Sequence, residues 1–139
     1  MCFVCTGNTC RSFMAERLMK KELKNAGIDF VKLSSRGFDA TGEMSAENAC
    51  KALKMLGASG AKRKSVKLKK FDQKTLYVAM TSAHKNRVNG RVIEMKDLIG
   101  QEIADPYGGD LNEYLSCARQ IERACKVLCE KLCKIGGEM

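Results

Sequence analysis

The motif Cys5-Thr6-Gly7-Asn8-Thr9-Cys10-Arg11-Ser12 lies near the start of the chain. It follows a short apolar segment, residues 1–4, and precedes a segment with helical periodicity, residues 13–26. This order predicts a loop that joins a buried strand to a helix, with Ser12 as the helix N-cap. Backbone N–H groups of such a loop, together with the helix N-terminus, bind anions. The motif therefore predicts a binding loop for a tetrahedral oxyanion.

Side chains of the motif add reactive chemistry to this loop. Arg11 supplies a permanently charged planar fork that can bond two oxygens of an anion. The same positive field stabilises a thiolate at Cys5, which becomes a nucleophile aimed at phosphorus. Gly7 and Asn8 are residue types that tolerate positive φ, and we expect both to shape a loop wrapped around an anion.

A candidate general acid lies about a hundred residues later, in Asp105-Pro106-Tyr107-Gly108-Gly109. Pro106, the single proline of the chain, restricts Asp105 to extended backbone geometry and so helps to orient its carboxyl group. A carboxyl group at this point can protonate a leaving atom and then activate water. Tyr107 is predicted to form an aromatic wall of the substrate cleft.

Strand-like and helical segments alternate along the chain. Strands are predicted at residues 1–4, 31–35, 76–80 and 92–95, and helices at residues 13–26, 45–56, 81–88, 96–99 and 111–135. This alternation predicts a three-layer α/β fold, with a four-stranded doubly wound parallel sheet flanked by helices. The phosphate-binding loop then follows the first strand, at the carboxyl edge where such sheets bind ligands. No repeat or linker interrupts the 139 residues, so one domain, residues 1–139, is expected.

The composition, with 45% hydrophobic and 29% charged residues, is that of a soluble globular protein. No apolar run approaches the roughly 18 residues of a membrane span, and no leader is evident, so we expect a cytoplasmic protein without membrane contact. Four of the eight cysteines fall on the last predicted helix, without a histidine or a Cys-x-x-Cys pair. They are expected to be free, buried thiols, and neither a metal nor a cofactor is predicted.

The chain carries 25 basic and 16 acidic residues, a net charge of +9. Six of the basic residues lie in residues 62–70, which form either a solvated loop or a docking patch for acidic phosphoproteins. Nucleic acid is not an expected partner, because no recognition motif or aromatic platform accompanies the charge.

The pattern Cys-x5-Arg-Ser, with Met14-Ala15-Glu16 after it and Asp105-Pro106 near the far end, resembles the low-molecular-weight protein tyrosine phosphatase family. The resemblance covers essentially the whole chain. It implies a cysteine-dependent enzyme that acts on phosphorylated proteins or peptides and releases inorganic phosphate through a phosphocysteine. It further implies that Cys5, Arg11 and Asp105 are catalytic. The hydroxyl of Ser12 is then expected to donate a hydrogen bond to the Cys5 sulfur. The resemblance also implies a set of phosphate-binding residues in the motif, which are Thr6, Gly7, Asn8, Thr9, Cys10, Arg11 and Ser12.

Thr9 stands where tyrosine phosphatases of this family usually carry a bulky aliphatic residue. Threonine here is similar to the bacterial protein arginine phosphatases, as are His84-Lys85 and the Asp-Pro-aromatic-Gly-Gly step. A short polar side chain leaves room for a planar guanidinium phosphoramidate, whereas a branched apolar one packs better on an aryl ring. Phosphoarginine is therefore favoured over phosphotyrosine, with a neutral replacement at Thr9 as the alternative.

Other positions depart from the family pattern or remain open. Phe13 replaces a proline, and Arg63 replaces the histidine expected to support the asparagine of the loop, which puts the rigidity of the loop in question. The family resemblance implies that Cys10 can form a reversible disulfide with Cys5, and the alternative is that Cys10 is only a small loop residue. His84 is expected to be structural.

Two other functions are compatible with parts of this sequence. Arsenate reductases share this fold but need resolving thiols near the loop, and residues 81–90 contain none. A non-catalytic phosphoprotein-binding module is disfavoured because Cys5, Arg11 and Asp105 are all present. The sequence assigns no oligomeric state.

Overall fold

The computed structural model describes residues 1–138 and contains one parallel sheet with helices between its strands. The strands are β1 (Cys2–Cys5), β2 (Ser34–Gly37), β3 (Leu76–Ala79) and β4 (Arg91–Glu94). The helices are α1 (Arg11–Asn25), α2 (Glu47–Met55), α3 (Ser82–Lys85), α4 (Met95–Ile99) and α5 (Leu111–Glu138). The predicted four-stranded α/β fold is confirmed.

The sheet has the order β2-β1-β3-β4, and all three strand pairs are parallel. The chain leaves β1 toward β2 on one side and later returns to add β3 on the other. The strand order therefore reverses at the carboxyl end of β1, which is the place where open parallel sheets bind their ligands. Cys5 is the last residue of β1 and lies at this point.

Apolar side chains cover both faces of the sheet, because successive residues of a strand point to opposite sides. Phe3 and Val78 belong to the main core with α1, α2 and α5, whereas Val4 and Tyr77 belong to a smaller core on the other face. That second face is covered by a segment that includes Phe71. Two packed layers thus hold the carboxyl ends of the strands in fixed positions.

Helix α5 packs along α1 through an apolar stripe. Ala118, Ile121 and Cys125 are fully buried, and Leu128 is nearly so. The predicted burial of the helix cysteines holds for Cys125 but is wrong for Cys133, which is exposed. Among the residues described here, no helix is both long enough and apolar enough to cross a membrane.

Most predicted boundaries shift by one to three residues; the helix predicted at residues 81–88, for example, is α3 and ends at Lys85. Two of the shifts bear on the site. Helix α1 begins at Arg11 with Cys10 as N-cap, so the prediction that Ser12 is the N-cap is wrong. The Ser12 hydroxyl faces the Cys5 sulfur instead, which takes it away from the helix N–H groups. Strand β2 begins at Ser34 rather than at residue 31, because β1 offers only four residues for pairing.

Candidate active site

A cavity of about 200 Å³ opens at the carboxyl end of β1. It is bounded by the phosphate loop, defined here as residues 5–12, and by the acid loop, residues 100–110, which follows α4. Its lining residues are Cys5, Thr6, Gly7, Asn8, Thr9, Cys10, Arg11, Glu43, Asp105 and Tyr107. The structure thus brings together the predicted catalytic residues Cys5, Arg11 and Asp105 and the predicted cleft residues Thr9 and Tyr107.

Ser12 is the one predicted phosphate-loop residue that does not line this cavity. It is fully buried beneath the loop, and its Oγ lies 2.9 Å from Cys5 Sγ. The backbone N–H of Asn8 also donates to Cys5 Sγ, over 3.4 Å. Hydrogen-bond donors around a sulfur stabilise its anionic form, so this setting suits a nucleophilic thiolate.

The backbone of the loop turns sharply at Asn8, whose φ is +59°. Of the two loop residues that tolerate positive φ, Asn8 adopts it and Gly7 does not; a Cβ added at Gly7 would meet only Thr9 Oγ1, at 3.8 Å. The glycine that sterics require is Gly37, at the end of β2. A Cβ there would lie 2.7 Å from the carbonyl oxygen of Thr6 and 2.9 Å from the Asn8 nitrogen.

The Asn8 side chain connects the loop to its surroundings. Its Nδ2 donates to Ser12 Oγ over 2.8 Å and to Ser35 Oγ over 3.0 Å. Its Oδ1 accepts the N–H of Val66 over 3.0 Å and a guanidinium N–H of Arg63 over 3.4 Å. Every polar atom of this buried amide therefore has a partner, which fixes the path of the loop.

Arg11 and Asp105 form an ion pair that joins the base of the cavity to its rim. The Arg11 guanidinium is largely buried, donates to the carbonyl oxygen of Ile103 over 2.9 Å, and lies 3.6 Å from Asp105 Oδ2. The Asp105 side chain is 51% exposed, and Tyr107 beyond it is 75% exposed. A buried cation at the base and an exposed carboxyl at the rim suit binding of an anion and proton exchange with a departing group.

A family profile described as low molecular weight phosphotyrosine protein phosphatase matches residues 1–136. The chain belongs to this family. It is therefore a low-molecular-weight protein phosphatase, in agreement with the resemblance seen in the sequence.

Curated relatives of this phosphatase include enzymes of two specificities. A protein-arginine-phosphatase from Geobacillus stearothermophilus is 37% identical over 142 aligned positions, covering 94% of this chain and 93% of the relative. The low molecular weight protein-tyrosine-phosphatase PtpB from Staphylococcus haemolyticus is 32% identical, covering 86% and 89%. A solved YwlE arginine phosphatase mutant with a phosphorylated active-site serine superposes with a TM-score of 0.83 at 29% identity, covering 96% of this chain and 95% of that one.

Arg63 supports the phosphate loop of this phosphatase, a role that the sequence left in question. Its guanidinium donates to Glu16 over 3.0 Å and also bonds Ser35 Oγ and Asn8 Oδ1. Burial lowers the pKa of Arg63, and the Glu16 carboxylate opposes that shift. Phe13, which replaces the expected proline, provides an aromatic face 5.8 Å from the Arg63 guanidinium carbon. The two departures from the family pattern are therefore in contact with each other.

His84 holds the loop from the opposite side of the sheet end. Its Nε2 is 2.9 Å from Thr6 Oγ1, and its Nδ1 is 3.1 Å from Thr81 Oγ1. Burial, followed by repulsion from Arg11 and Arg87, lowers the pKa of His84 to about 4. The imidazole is therefore neutral at neutral pH, which fits a positioning role.

Cys10 differs from Cys5 although both belong to the phosphate loop. Its Sγ lies 3.3 Å from the hydroxyl of Tyr114 on α5. Burial raises the pKa of the Cys10 thiol, and hydrogen bonds from Tyr114 and Thr9 only partly offset this shift. Cys10 is therefore a packed thiol at the join between the loop and α5.

Sequence reasoning missed Glu43, Gly37 and the contacts of Arg63. Gly37 and Arg63 contact the phosphate loop and Glu43 lines the cavity, each from a distant part of the chain; Arg63 lies 55 residues from its partner Asn8. Gly37 carried a weak signal, since it closely follows a predicted strand at the sheet edge that binds ligands. Glu43 had no spacing that linked it to the motif.

Proposed function

We propose that this phosphatase hydrolyses phosphoarginine in proteins or peptides through a phosphocysteine at Cys5, with Arg11 binding the phosphoryl oxygens and Asp105 as general acid. The observation that carries the proposal is that Cys5 and the Arg11–Asp105 pair line one cavity, with the Ser12 hydroxyl beneath the loop 2.9 Å from the Cys5 sulfur. Inorganic phosphate is the product. The proposed chemistry uses no metal or cofactor.

In the first step, the Cys5 thiolate attacks phosphorus, and the bond between phosphorus and the guanidinium nitrogen breaks. Asp105, protonated at this stage, gives its proton to that nitrogen. The backbone N–H groups of the loop and the Arg11 fork stabilise the charge on the phosphoryl oxygens while it is transferred. Arg11 is already aligned by the carbonyl oxygen of Ile103, so little reorganisation is needed.

In the second step, water attacks the phosphocysteine, and Asp105 accepts the proton that water loses. The bond between phosphorus and sulfur breaks, and Cys5 leaves as a thiolate. The Ser12 hydroxyl, 2.9 Å from the sulfur, donates to this leaving thiolate. In the YwlE mutant a serine that replaces the active-site cysteine is phosphorylated, which supports a phosphorylated intermediate at the position of the nucleophile.

Thr9 is the specificity residue in this proposal. It lines the cavity, and its Oγ1 is 3.6 Å from Cys10 Sγ. A hydroxyl beside the phosphoryl site can hydrogen-bond the N–H groups of a guanidinium, whereas an aryl ring offers no such donor. The sequence identity of 37% to a protein-arginine-phosphatase also supports phosphoarginine as the substrate.

Side-by-side turnover of phosphoarginine and phosphotyrosine in one peptide sequence tests the proposal. We expect kcat/KM for phosphoarginine to exceed that for phosphotyrosine, and the reverse order would contradict it. Cys5→Ser serves as the inactive control and should still bind inorganic phosphate. Arsenate-dependent thiol oxidation is assayed in parallel, since its presence would favour the arsenate reductase alternative.

Thr9→Ile should shift the ratio of the two kcat/KM values toward phosphotyrosine by roughly tenfold, because a bulky apolar side chain disfavours the polar substrate. Thr9→Val keeps the shape of threonine and removes only the hydroxyl, so it separates hydrogen bonding from space. An unchanged ratio in Thr9→Ile would remove the structural reason for choosing phosphoarginine.

We further infer that residues 1–139 act as one phosphatase domain in the reducing cytoplasm, on phosphorylated proteins and not on nucleic acid or membranes. All eight cysteines are free thiols in the structure, which supports a reducing compartment. Fractionation of cells under native conditions, with immunodetection of the chain, tests this location.

A further inference from the structure

Glu43 lines the active-site cavity although it belongs to neither the phosphate loop nor the acid loop. It is exposed and lies in the connection between β2 and α2. Glu43 and Asp105 are the two acidic residues among the residues that line the cavity. The mouth of an anion site thus contains two carboxylates, of which only Asp105 has a role in the proposed chemistry.

The backbone around Glu43 is fixed against the active site. The carbonyl oxygen of Glu43 accepts the N–H of Ser65 over 2.7 Å, and the Gly42 N–H donates to Ser65 Oγ over 3.0 Å. Three residues after Glu43, the Ala46 N–H donates to the carbonyl oxygen of Thr9 over 3.1 Å. The connection is therefore tied directly to the phosphate loop, which places the base of the Glu43 side chain at a defined position.

The charge of Glu43 has no counterion in the described part of the chain. Asp105 pairs with Arg11 over 3.6 Å, whereas no ion pair of Glu43 is found among those residues. An unpaired carboxylate beside an anion site repels a phosphate dianion and so weakens the binding of simple phosphate esters. A substrate that carries a cation next to its phosphoryl group turns this repulsion into attraction.

We propose that Glu43 is a specificity residue that binds the guanidinium of phosphoarginine and disfavours uncharged leaving groups. The proposal rests on the proposed function, because it concerns the same site and substrate. The phosphorylated guanidinium retains N–H donors that do not face phosphorus, and a carboxylate can accept two of them side by side. Thr9 then contacts the substrate near the phosphoryl group, and Glu43 contacts it at the mouth.

The test compares Glu43→Gln with the wild-type enzyme on phosphoarginine and phosphotyrosine in the same peptide. We expect kcat/KM for phosphoarginine to fall about tenfold, since a charge-assisted contact is lost. The value for phosphotyrosine should stay unchanged or rise, because repulsion of the dianion is removed. Glu47→Gln is the matched control, since Glu47 is exposed on α2, outside the cavity, and pairs with Lys51 over 3.7 Å. It should change neither value.

A second measurement separates charge from structure. The fall in kcat/KM for phosphoarginine caused by Glu43→Gln should become smaller as the salt concentration rises. Salt screens an exposed charge contact and so already weakens it in the wild-type enzyme. Equal slowing of both substrates would show that Glu43 only maintains the loop, and it would overturn the inference while leaving the proposed function intact. Absence of phosphoarginine turnover in the wild-type enzyme would instead overturn both.

Discussion

The two loops that bound the active site are built in different ways. The phosphate loop is held from two sides, by Asn8 with its partners and by His84 through Thr6. The acid loop is attached at Ile103, which is fully buried and whose N–H donates to Met80. Beyond that residue, Asp105 and Tyr107 are exposed, on either side of the buried Pro106. The backbone of the acid loop is thus held at Ile103 and Pro106, while the two side chains that line the cavity face solvent.

This difference matches the two tasks of a phosphoryl-transfer site. The transferred phosphoryl group is the same in every substrate, so donors fixed in advance can bind it without reorganisation. The departing atom differs between substrates in position and basicity. A carboxyl group at an exposed rim, aimed by a few local contacts such as the Tyr107 N–H on Asp105 Oδ1 at 3.1 Å, can serve leaving groups of different size.

The largest effect is expected from changing the proposed general acid in the acid loop. Asp105→Asn should lower kcat by roughly 10²–10⁴-fold, because an amide cannot donate the proton that the leaving atom needs. Across a series of aryl phosphates the loss should grow with the pKa of the leaving phenol. Asp29→Asn, at an exposed position outside this cavity, is the control. Equal slowing of good and poor leaving groups would contradict the role of Asp105.

A smaller effect is expected from weakening the support of the phosphate loop. Arg63→Met removes the hydrogen bonds to Glu16, Ser35 and Asn8, so kcat/KM should fall by roughly 10–100-fold, and the free energy of unfolding by about 1.5–3 kcal/mol. Arg17→Met is the matched control. Arg17 stacks on the same Phe13 ring at 4.9 Å and bonds Ser59, not the loop.

Steady-state kinetics and urea unfolding measure the two quantities separately. If Arg63→Met and Arg17→Met lowered activity equally, the contacts of Arg63 with the loop would not explain its importance. The comparison between a rigid phosphate loop and a locally held acid loop would then lose its main support.

The smallest effect concerns the pH dependence of stability through His84. The pKa of His84 is about 4 in the folded chain, against 6.5 for an ordinary histidine, so the unfolded chain binds the proton more readily. Stability from this group is therefore complete above about pH 6.5 and decreases as the pH falls toward 4, by at most about 3 kcal/mol. Carboxylates titrate in the same range, so His84→Gln provides the reference.

Urea unfolding at several pH values between 4 and 7 measures this contribution. The free energy of unfolding should fall more steeply with acidification in the wild-type chain than in His84→Gln. Parallel curves would show that His84 is not a buried neutral group in the folded chain. They would also argue against its role in supporting Thr6.

The parts of this protein that sequence predicted are those encoded in contiguous residues. The motif at residues 5–12 predicted the strand, the loop and the helix, and the family resemblance implied the contact between Ser12 and the Cys5 sulfur; the structure contains all of these. Pro106 marked Asp105, and the structure places that residue at the cavity mouth. In each case the chemistry follows from a residue and its immediate neighbours.

The parts that could not be predicted depend on distant residues packed together by the fold. Arg63 reaches Asn8 because the segment after α2 returns along the end of β2, and Glu43 reaches the cavity because its neighbour Ala46 bonds Thr9. The N-cap at Ser12 was wrong for a related reason. A hydroxyl near a helix start normally accepts hydrogen bonds from backbone N–H groups. Here the Ser12 hydroxyl contacts the sulfur of Cys5, at the end of β1, instead.

The bare backbone of Gly37 has a consequence for how this site can change over time. The Thr6 carbonyl and the Asn8 nitrogen occupy the space that a side chain would need at that position, so the phosphate loop packs directly on the backbone of β2. Amino-acid substitutions at the end of β2 are therefore limited by the path of the phosphate loop, and we expect the two segments to evolve together.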